Sequence, residues 1–178
     1  MTRFTRLSAS DRRQMLIQTA CLCMEDDGIA GFTIDRICTR AQVSRGLIAH
    51  HFGNIGGLMA ATYAQLYEED LPATQGLAAL LDTTFDPARF NRPRLNLWLA
   101  LWQAIANTPE LTAEHRRRYG AHVARVAEAL RTAGAPAALS PLLIALIDGL
   151  ALQHCIDPES MPPERARAAC AAFLTLQT

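Results

Sequence analysis

The 178-residue sequence predicts an all-α protein: an N-terminal three-helix unit with a helix-turn-helix, then a larger helical domain, about nine helices altogether. Three observations carry this. Residues Thr33 to Phe52, TIDRICTRAQVSRGLIAHHF, read as a helix, a tight turn and a second helix. Breaks at Gly28, Gly53 to Gly57, Pro72, Pro109 and Gly134-Ala135-Pro136 divide the chain into helix-length pieces. Two of those pieces, LNLWLALWQAIA and PLLIALIDGLAL, are too apolar for one buried face and call for burial on several sides. With half its residues apolar, the chain can bury a real core as one domain or two small ones. The reading divides it into residues 1–56 and 57–178.

Residues 1 to 9 read either as an arm whose Arg3 and Arg6 touch DNA phosphate or as a tail without a role. The first helix is expected from Ser10, as its cap, to about Asp27, burying Leu16, Ala20, Cys23 and Met24. Glu25-Asp26-Asp27 is a poor ending for a helix dipole, and Gly28 supplies the stop. In the second helix Ile34, Ile37, Cys38 and Ala41 recur at i, i+3, i+4 and i+7. Thr33 caps it, Asp35 suits its positive end, and Phe32 can pack on Ile37 as a hydrophobic staple. Gln42-Val43 breaks the pattern, and Ser44 caps a third helix whose inward face is Ile48 and Phe52. Its outward face carries Arg45, Gly46, Leu47, Ala49, His50 and His51, with little bulk, as suits a helix entering a duplex groove.

A fourth helix is expected from about Gly57 to Asp70 and a fifth from about Ala73 to Leu81. A sixth runs from about Phe90 to Asn107, and a seventh from Pro109 to about Ala133 with Arg116-Arg117-Arg118 on a solvated face near Glu114. The eighth spans about Ser140 to Ile156 and the ninth about Pro163 to Leu176. Small Ala145, Gly149 and Ala151 in the eighth would permit close helix approach.

Acids and bases balance at seventeen each, and every base is arginine. Distribution matters more than the sum: residues 1 to 60 hold seven arginines against five acids. Five cysteines without a CxxC pair read as buried reduced thiols. The expected setting is cytoplasmic, with no signal peptide, no apolar run of membrane-spanning length and no membrane partner. No catalytic constellation, phosphate loop, metal set or cofactor motif appears; His50 and His51 are adjacent, so one helix cannot aim both at one ion.

The string Leu16-Ile17, Ala20, Gly28, Thr33-Ile34, Ile37, Ala41, Val43-Ser44, Gly46, Ile48, His50, Phe52 and Leu58 resembles the DNA-binding region of the TetR family of bacterial transcriptional regulators, in particular its BetI-like branch. The resemblance implies a homodimer that binds palindromic double-stranded DNA and leaves it when a small-molecule effector binds, most simply as a repressor. By position it implies phosphate contact at Thr33 and His51, and base or near-base contact at Arg45, Leu47, Ala49 and His50, with Ser44 and Gly46 on the same face. It places an effector cavity among the fourth to eighth helices, where Tyr63, Tyr67, Trp98 and Trp102 form two i, i+4 aromatic pairs. Those rings read as core packing or as a cage for a cationic amine. The last two helices would pair with a second subunit through Leu143, Leu146, Ile147, Leu150 and Phe173. Asp148, a lone charge in an apolar helix, reads as a contact at that seam or as an anion facing a cationic ligand.

The chain departs from the family pattern at four positions. Gln42 stands where glycine is usual, His51 where tyrosine, Ile55 where a phosphate-holding lysine, and Ala151 where tryptophan is often found in BetI-like chains. Ile55 supports a rival reading, a helical dimeric module that kept the fold but binds DNA weakly.

Overall fold

The computed structural model describes residues 8–70 and 76–176. Its described helices are α1 (Ala9–Asp27), α2 (Ile34–Ala41), α3 (Arg45–Phe52), α4 (Ile55–Asp70), α5 (Gly76–Thr84), α6 (Arg92–Ile105), α7 (Pro109–Thr132), α8 (Ser140–Ile156) and α9 (Pro163–Thr175). Short 3-10 turns at Gly28–Gly31 and Ala137–Leu139, not foreseen in the sequence, link α1 to α2 and α7 to α8. Arg3, Arg6, Pro72 and the expected start of the fifth helix lie outside the described residues.

The cap of α1 is Ser8 rather than Ser10. The Ser8 hydroxyl accepts from the Asp11 amide at 3.0 Å and the Asp11 carboxylate accepts from the Ser8 amide at 3.2 Å, a reciprocal capping box. Leu16, Ala20, Cys23 and Met24 are fully buried, and α1 lies against α2, α4 and α6. The turn after α1 folds tightly back on it. A Cβ at Gly31 would sit 1.9 Å from the Cys23 carbonyl oxygen, so only glycine fits.

Thr33 caps α2, its hydroxyl accepting from the Arg36 amide at 3.3 Å. Beyond α2, Gln42 takes a left-handed conformation (φ 55°, ψ 45°), where a side chain costs roughly 1–2 kcal/mol. The Gln42 amide donates to Thr39 at 3.3 Å and the Val43 amide to Cys38 at 3.0 Å, the paired bonds of a Schellman ending. Those bonds hold the turn despite the strained residue.

α4 begins two residues earlier than the sequence suggests, and Ile55 in its first turn is half-buried against the core. α4 and α5 pack on α7, α6 and α7 on α8, and α8 on α9. All five cysteines are free thiols, four of them buried. The segment Ala137–Ile156 has a mean hydropathy of 1.6 over 20 residues, long and apolar enough to cross a membrane by composition, which qualifies the expectation that no such run exists. Here Leu143, Ile144, Leu150 and Ala151 are buried within the subunit instead.

Replacing Gln42 by glycine should relieve the left-handed strain. We expect a stabilisation of about 1 kcal/mol, seen as a Tm rise of about 2–4 °C in a chain of this size. An unchanged or lower Tm would mean that the Gln42 side chain contributes as much as its backbone strain costs.

Candidate nucleic-acid interface and effector cavity

α3 is held by Ile48, 1% exposed, and by the half-buried Phe52, over whose ring the Arg13 guanidinium lies at 5.1 Å. Arg45, Gly46, Ala49 and His50 are exposed on its other side, beside half-buried Leu47 and His51, as the helical spacing predicts. Ser44 has the extended backbone of a cap, but its hydroxyl makes no capping bond; the Leu47 amide donates to the Ser44 carbonyl at 3.0 Å. Arg45 pairs with Asp35 of α2 at 2.5 Å, with both side chains mostly in solvent. Such a pair contributes about 0–1 kcal/mol, so another anion can displace it.

Gly46 has no packing reason to be glycine. A Cβ there would meet only the Ser44 hydroxyl, at 3.9 Å, and glycine in place of alanine costs roughly 1 kcal/mol in a helix. His51 is less open than the resemblance implies. Its ring meets His50 edge-on at 4.9 Å, and its Nε2 is buried with no hydrogen-bond partner among the described residues. Burial, together with the charges of His50, Arg12 and Arg13, holds its pKa below the ordinary histidine value. In this rotamer Nε2 is closed off from solvent and only the rest of the half-buried ring is open to a phosphate.

The exit of α3 is tied to the rest of the molecule. Gly57 brings α4 so close that a Cβ would lie 2.1 Å from the Phe52 carbonyl oxygen. Asn54 caps α4 by accepting from the Gly57 amide at 2.8 Å, and its side-chain amide donates to Glu110 in the first turn of α7 at 2.8 Å. Further along, Arg118 of α7 bonds Glu68 of α4 at 3.1 Å while Arg117 and Arg118 both reach Glu114. Arg117 and Arg118 are therefore ion-paired along α7, and Arg116 beside them is exposed.

A cavity of about 120 Å³ lies among α4, α6, α7 and α8, with Tyr67, Trp98, Trp102, Tyr119, His122 and Asp148 in its wall. Tyr63 is not among the lining residues. It is fully buried one layer back, its hydroxyl 2.7 Å from Nδ1 of His115 and 3.4 Å from the Tyr67 hydroxyl. Trp98 is fixed edge-on to Tyr67 at 5.0 Å and donates its indole N–H to Asp70 at 2.9 Å. Asp70 in turn accepts from Arg94 through both carboxylate oxygens at 2.8–3.0 Å. This Asp70–Arg94 support for the tryptophan was missed in the sequence, since 24 residues separate the pair. His115, Tyr119 and His122 also escaped notice, although their i, i+4, i+7 spacing marks one face of α7.

Asp148 faces this cavity, and no ion pair or hydrogen bond of its carboxylate occurs among the described residues. Burial pushes its pKa up to about 6, so it is largely a carboxylate at neutral pH. Its place in this wall is the one that the second reading of Asp148, an anion facing a ligand, requires. Burial lowers His122 to about 4, with Arg125 adding to the effect, and lowers His115 as well. Both imidazoles are neutral beside the cavity.

The residues expected at a subunit seam are divided by the fold. Leu143 and Leu150 are buried in the subunit's own core, Ile147 lines the cavity, and Leu146 and Phe173 are half-buried. The exposed stripe of α8 is Leu142, Ala145, Gly149, Leu152 and Ile156, at i, i+3, i+7, i+10 and i+14. An eighth helix apolar on all sides gave no sequence signal for which leucines point outward. Among the described residues no group of histidine, cysteine and acid side chains is placed to hold a metal.

Residues 16–62 match the family described as "Bacterial regulatory proteins, tetR family", and residues 73–178 match "BetI-type transcriptional repressor, C-terminal". The chain is 32% identical over 171 residues to the HTH-type transcriptional regulator BetI of Paraburkholderia xenovorans, covering 87% of each chain. Its fold is similar to that of a Pseudomonas aeruginosa PAO1 transcriptional regulator, with a TM-score of 0.79 and 27% identity over 98% of this chain and 93% of that one. A Saccharomonospora viridis regulator solved in complex with choline shares the fold at a TM-score of 0.72 and 18% identity, over 93% of this chain and 96% of the other. The chain belongs to the TetR family of bacterial transcriptional regulators, with a C-terminal region of BetI type, and is a DNA-binding regulator rather than an enzyme.

Proposed function

We propose that this regulator is a cytoplasmic homodimeric repressor that leaves a palindromic operator when a cationic amine enters the α4–α8 cavity. Residues 1–56 act as the DNA-binding unit and 57–178 as the effector and dimerisation unit, with α4 shared across the boundary. The observation that carries the effector reading is Asp148, a half-buried carboxylate without a partner among the described residues, in a wall otherwise rich in rings. A quaternary ammonium has no N–H to donate, so it is recognised by ring faces and by a carboxylate's charge. Each well-placed ring contributes about 0.5–2 kcal/mol. Trp98, Trp102 and Tyr67 supply such faces, and Tyr63 acts by holding Tyr67 and His115 in place. The choline complex of a structural neighbour agrees with this class of ligand.

At the other end, Arg45 reads a guanine edge and Leu47 packs on a thymine methyl. Thr33, Ser44 and His51 face phosphate, and Gly46, Ala49 and His50 allow or make close groove contact. The free Ser44 hydroxyl and the unfilled space beside Gly46 support this. The rival reading, a dimer with weak DNA affinity, drew on Ile55, but that side chain has a packing reason to be aliphatic. Two subunits joined through the exposed α8 stripe and α9 would set two reader helices about 34–36 Å apart, or a small multiple of one turn. A ligand favouring a dimer of different spacing shifts the population off DNA.

Arg45→Ala should weaken operator binding by about 1–3 kcal/mol while leaving the far-UV spectrum unchanged. Equal binding of mutant and parent to selected operator DNA would remove α3 from the reader role. Gly149→Arg places a charge where a Cβ meets nothing within 4 Å, so the subunit should fold and light scattering should report a monomer. A dimer of parental mass would place the seam elsewhere.

Asp148→Asn separates ligand function from stability. The folded pKa of Asp148 is raised from 3.8 to about 6, so the wild-type folded state loses stability as pH rises through that window. The variant should therefore be the more stable protein above about pH 6 and equal to wild type below pH 4, yet fail to bind amines. A destabilised variant at pH 7.5, or one still released from operator by choline, would return Asp148 to a structural role.

A further inference from the structure

Arg13 of α1 differs from the arginines of the helix-turn-helix. Arg36 pairs with Asp27, Arg40 with Asp26 and Arg45 with Asp35, so each of those cations is answered by a carboxylate. Arg13 makes no ion pair among the described residues. Its neighbours one turn away on α1 are Ala9, Ser10, Leu16 and Ile17, so no acid lies at i, i+3 or i, i+4 spacing. Asp11 is committed to the Ser8 cap, accepting from the hydroxyl at 2.7 Å and from the amide at 3.2 Å. Beyond Arg13 an open groove contains Glu68 and Glu114, but Arg118 holds the first, and Arg117 and Arg118 hold the second. Arg13 also stands near the start of α1, the end of a helix dipole that disfavours a cation.

What holds Arg13 is a ring. Its exposed guanidinium lies 5.1 Å from the ring centroid of Phe52, the last residue of α3. Stacking orients a guanidinium without consuming its N–H donors, which stay available around its edge. The same turn of α3 carries exposed His50 and half-buried His51. The charges of Arg12 and Arg13 are felt at His51, where they add to burial and to His50 in lowering the pKa. Basic side chains of α1 and α3 thus gather at the last turn of α3.

That turn lies where a duplex would present phosphate. Phe52 follows Arg45 by seven residues, so the two side chains leave α3 within about 20° of each other and about 10 Å apart along its axis. The major groove is about 12 Å wide. With Arg45 at the base edges, the far end of α3 stands at the wall of the groove, where the backbone runs. We propose that Arg13 is a phosphate-binding residue outside the helix-turn-helix, held on the Phe52 ring so that its free donors meet the DNA backbone at the edge of the groove that α3 enters. The inference rests on α3 as the reader and adds a contact made from α1.

Anisotropy titrations with two duplexes test it, one selected from a random library by the wild-type protein and one a scramble of that sequence, over about 0.05–0.2 M salt. Arg13→Gln should weaken both duplexes by the same factor and lower the salt slope by about 0.9 per subunit bound, a loss of roughly eightfold per subunit at about 0.1 M salt. Arg13→Lys, which keeps the charge, should keep the wild-type slope. Phe52→Leu removes the ring but leaves an apolar side chain. It should weaken both duplexes in the wild-type background and neither in the Arg13→Gln background, because the ring acts through the arginine. An unchanged slope in Arg13→Gln overturns the phosphate contact. A loss confined to the selected duplex overturns it as well, since Arg13 would then act by setting the angle of α3. Arg45→Ala in the same titrations separates the inference from its foundation. If Arg45→Ala loses affinity for the selected duplex while the Arg13→Gln slope stays flat, the Arg13 contact alone falls. If Arg45→Ala loses none, the reader helix falls, and the placing of Arg13 at the groove wall falls with it.

Discussion

Helices α4 and α7 lie against each other, and that contact is the constraint on which the two ends of the molecule depend. At one end Asn54, just before α4, bonds Glu110 in the first turn of α7. Farther along, Glu68 meets Arg118, and Tyr63 meets His115 deeper in the packing. Beyond those contacts Tyr67 and His122 enter the cavity wall. The twelve residues from Glu110 to His122 span about 18 Å of helix at 1.5 Å per residue. A rigid helix of that length would carry a displacement at the cavity to the turn that follows α3. The orientation of α3 is thus fixed by the same two helices that shape the cavity. Packed interiors have little room to absorb such a shift locally, because they are close-packed and respond in discrete rearrangements.

A chain of zero net charge that binds DNA calls for an electrostatic account. In the N-terminal unit Arg36 pairs with Asp27, Arg40 with Asp26 and Arg45 with Asp35. All six side chains are at least about two-fifths exposed, so each pair is solvated and weak. These pairs keep the three arginines at the surface without committing them. Phosphates, which present a dense line of charge, can displace a solvated carboxylate at little cost. Near-neutrality then limits unspecific attraction, leaving the base edges a larger share in deciding where the protein rests.

Much of this was legible in the sequence, for definable reasons. The α2–α3 pair is short, amphipathic and punctuated by Thr33, Gln42 and Gly53, so its spacing alone gives the helices, the turn and the outward face. The eighth helix, read as about Ser140 to Ile156, matches α8 residue for residue. What failed were choices between equivalent signals. Ser8 and Ser10 both offer an N-cap, and only the Asp11 carboxylate, three residues after Ser8, decides between them. Tyr63 and Tyr67 share a helical face, yet His115 of α7 covers the first and leaves the second at the cavity. In α8 apolar residues surround the axis, so periodicity could not say that Leu142 points outward and Leu143 inward. Each of these depends on a partner from a distant segment, which a local pattern does not contain.

The positions where the chain gives up stability fall at its proposed working parts. Gly46 weakens a helix in a place where an alanine methyl would meet no obstacle. Asp148 holds a half-buried carboxylate with no cation paired to it among the described residues. A sequence selected for stability alone would fill, neutralise or pair each of these. Sequences that violate a local rule without local compensation tend to do so where a ligand completes the arrangement. A groove edge against Gly46 and a cationic molecule beside Asp148 would complete both. In the proposed reading those partners lie outside the subunit, the duplex at one end of the α4–α7 pair and the effector at the other.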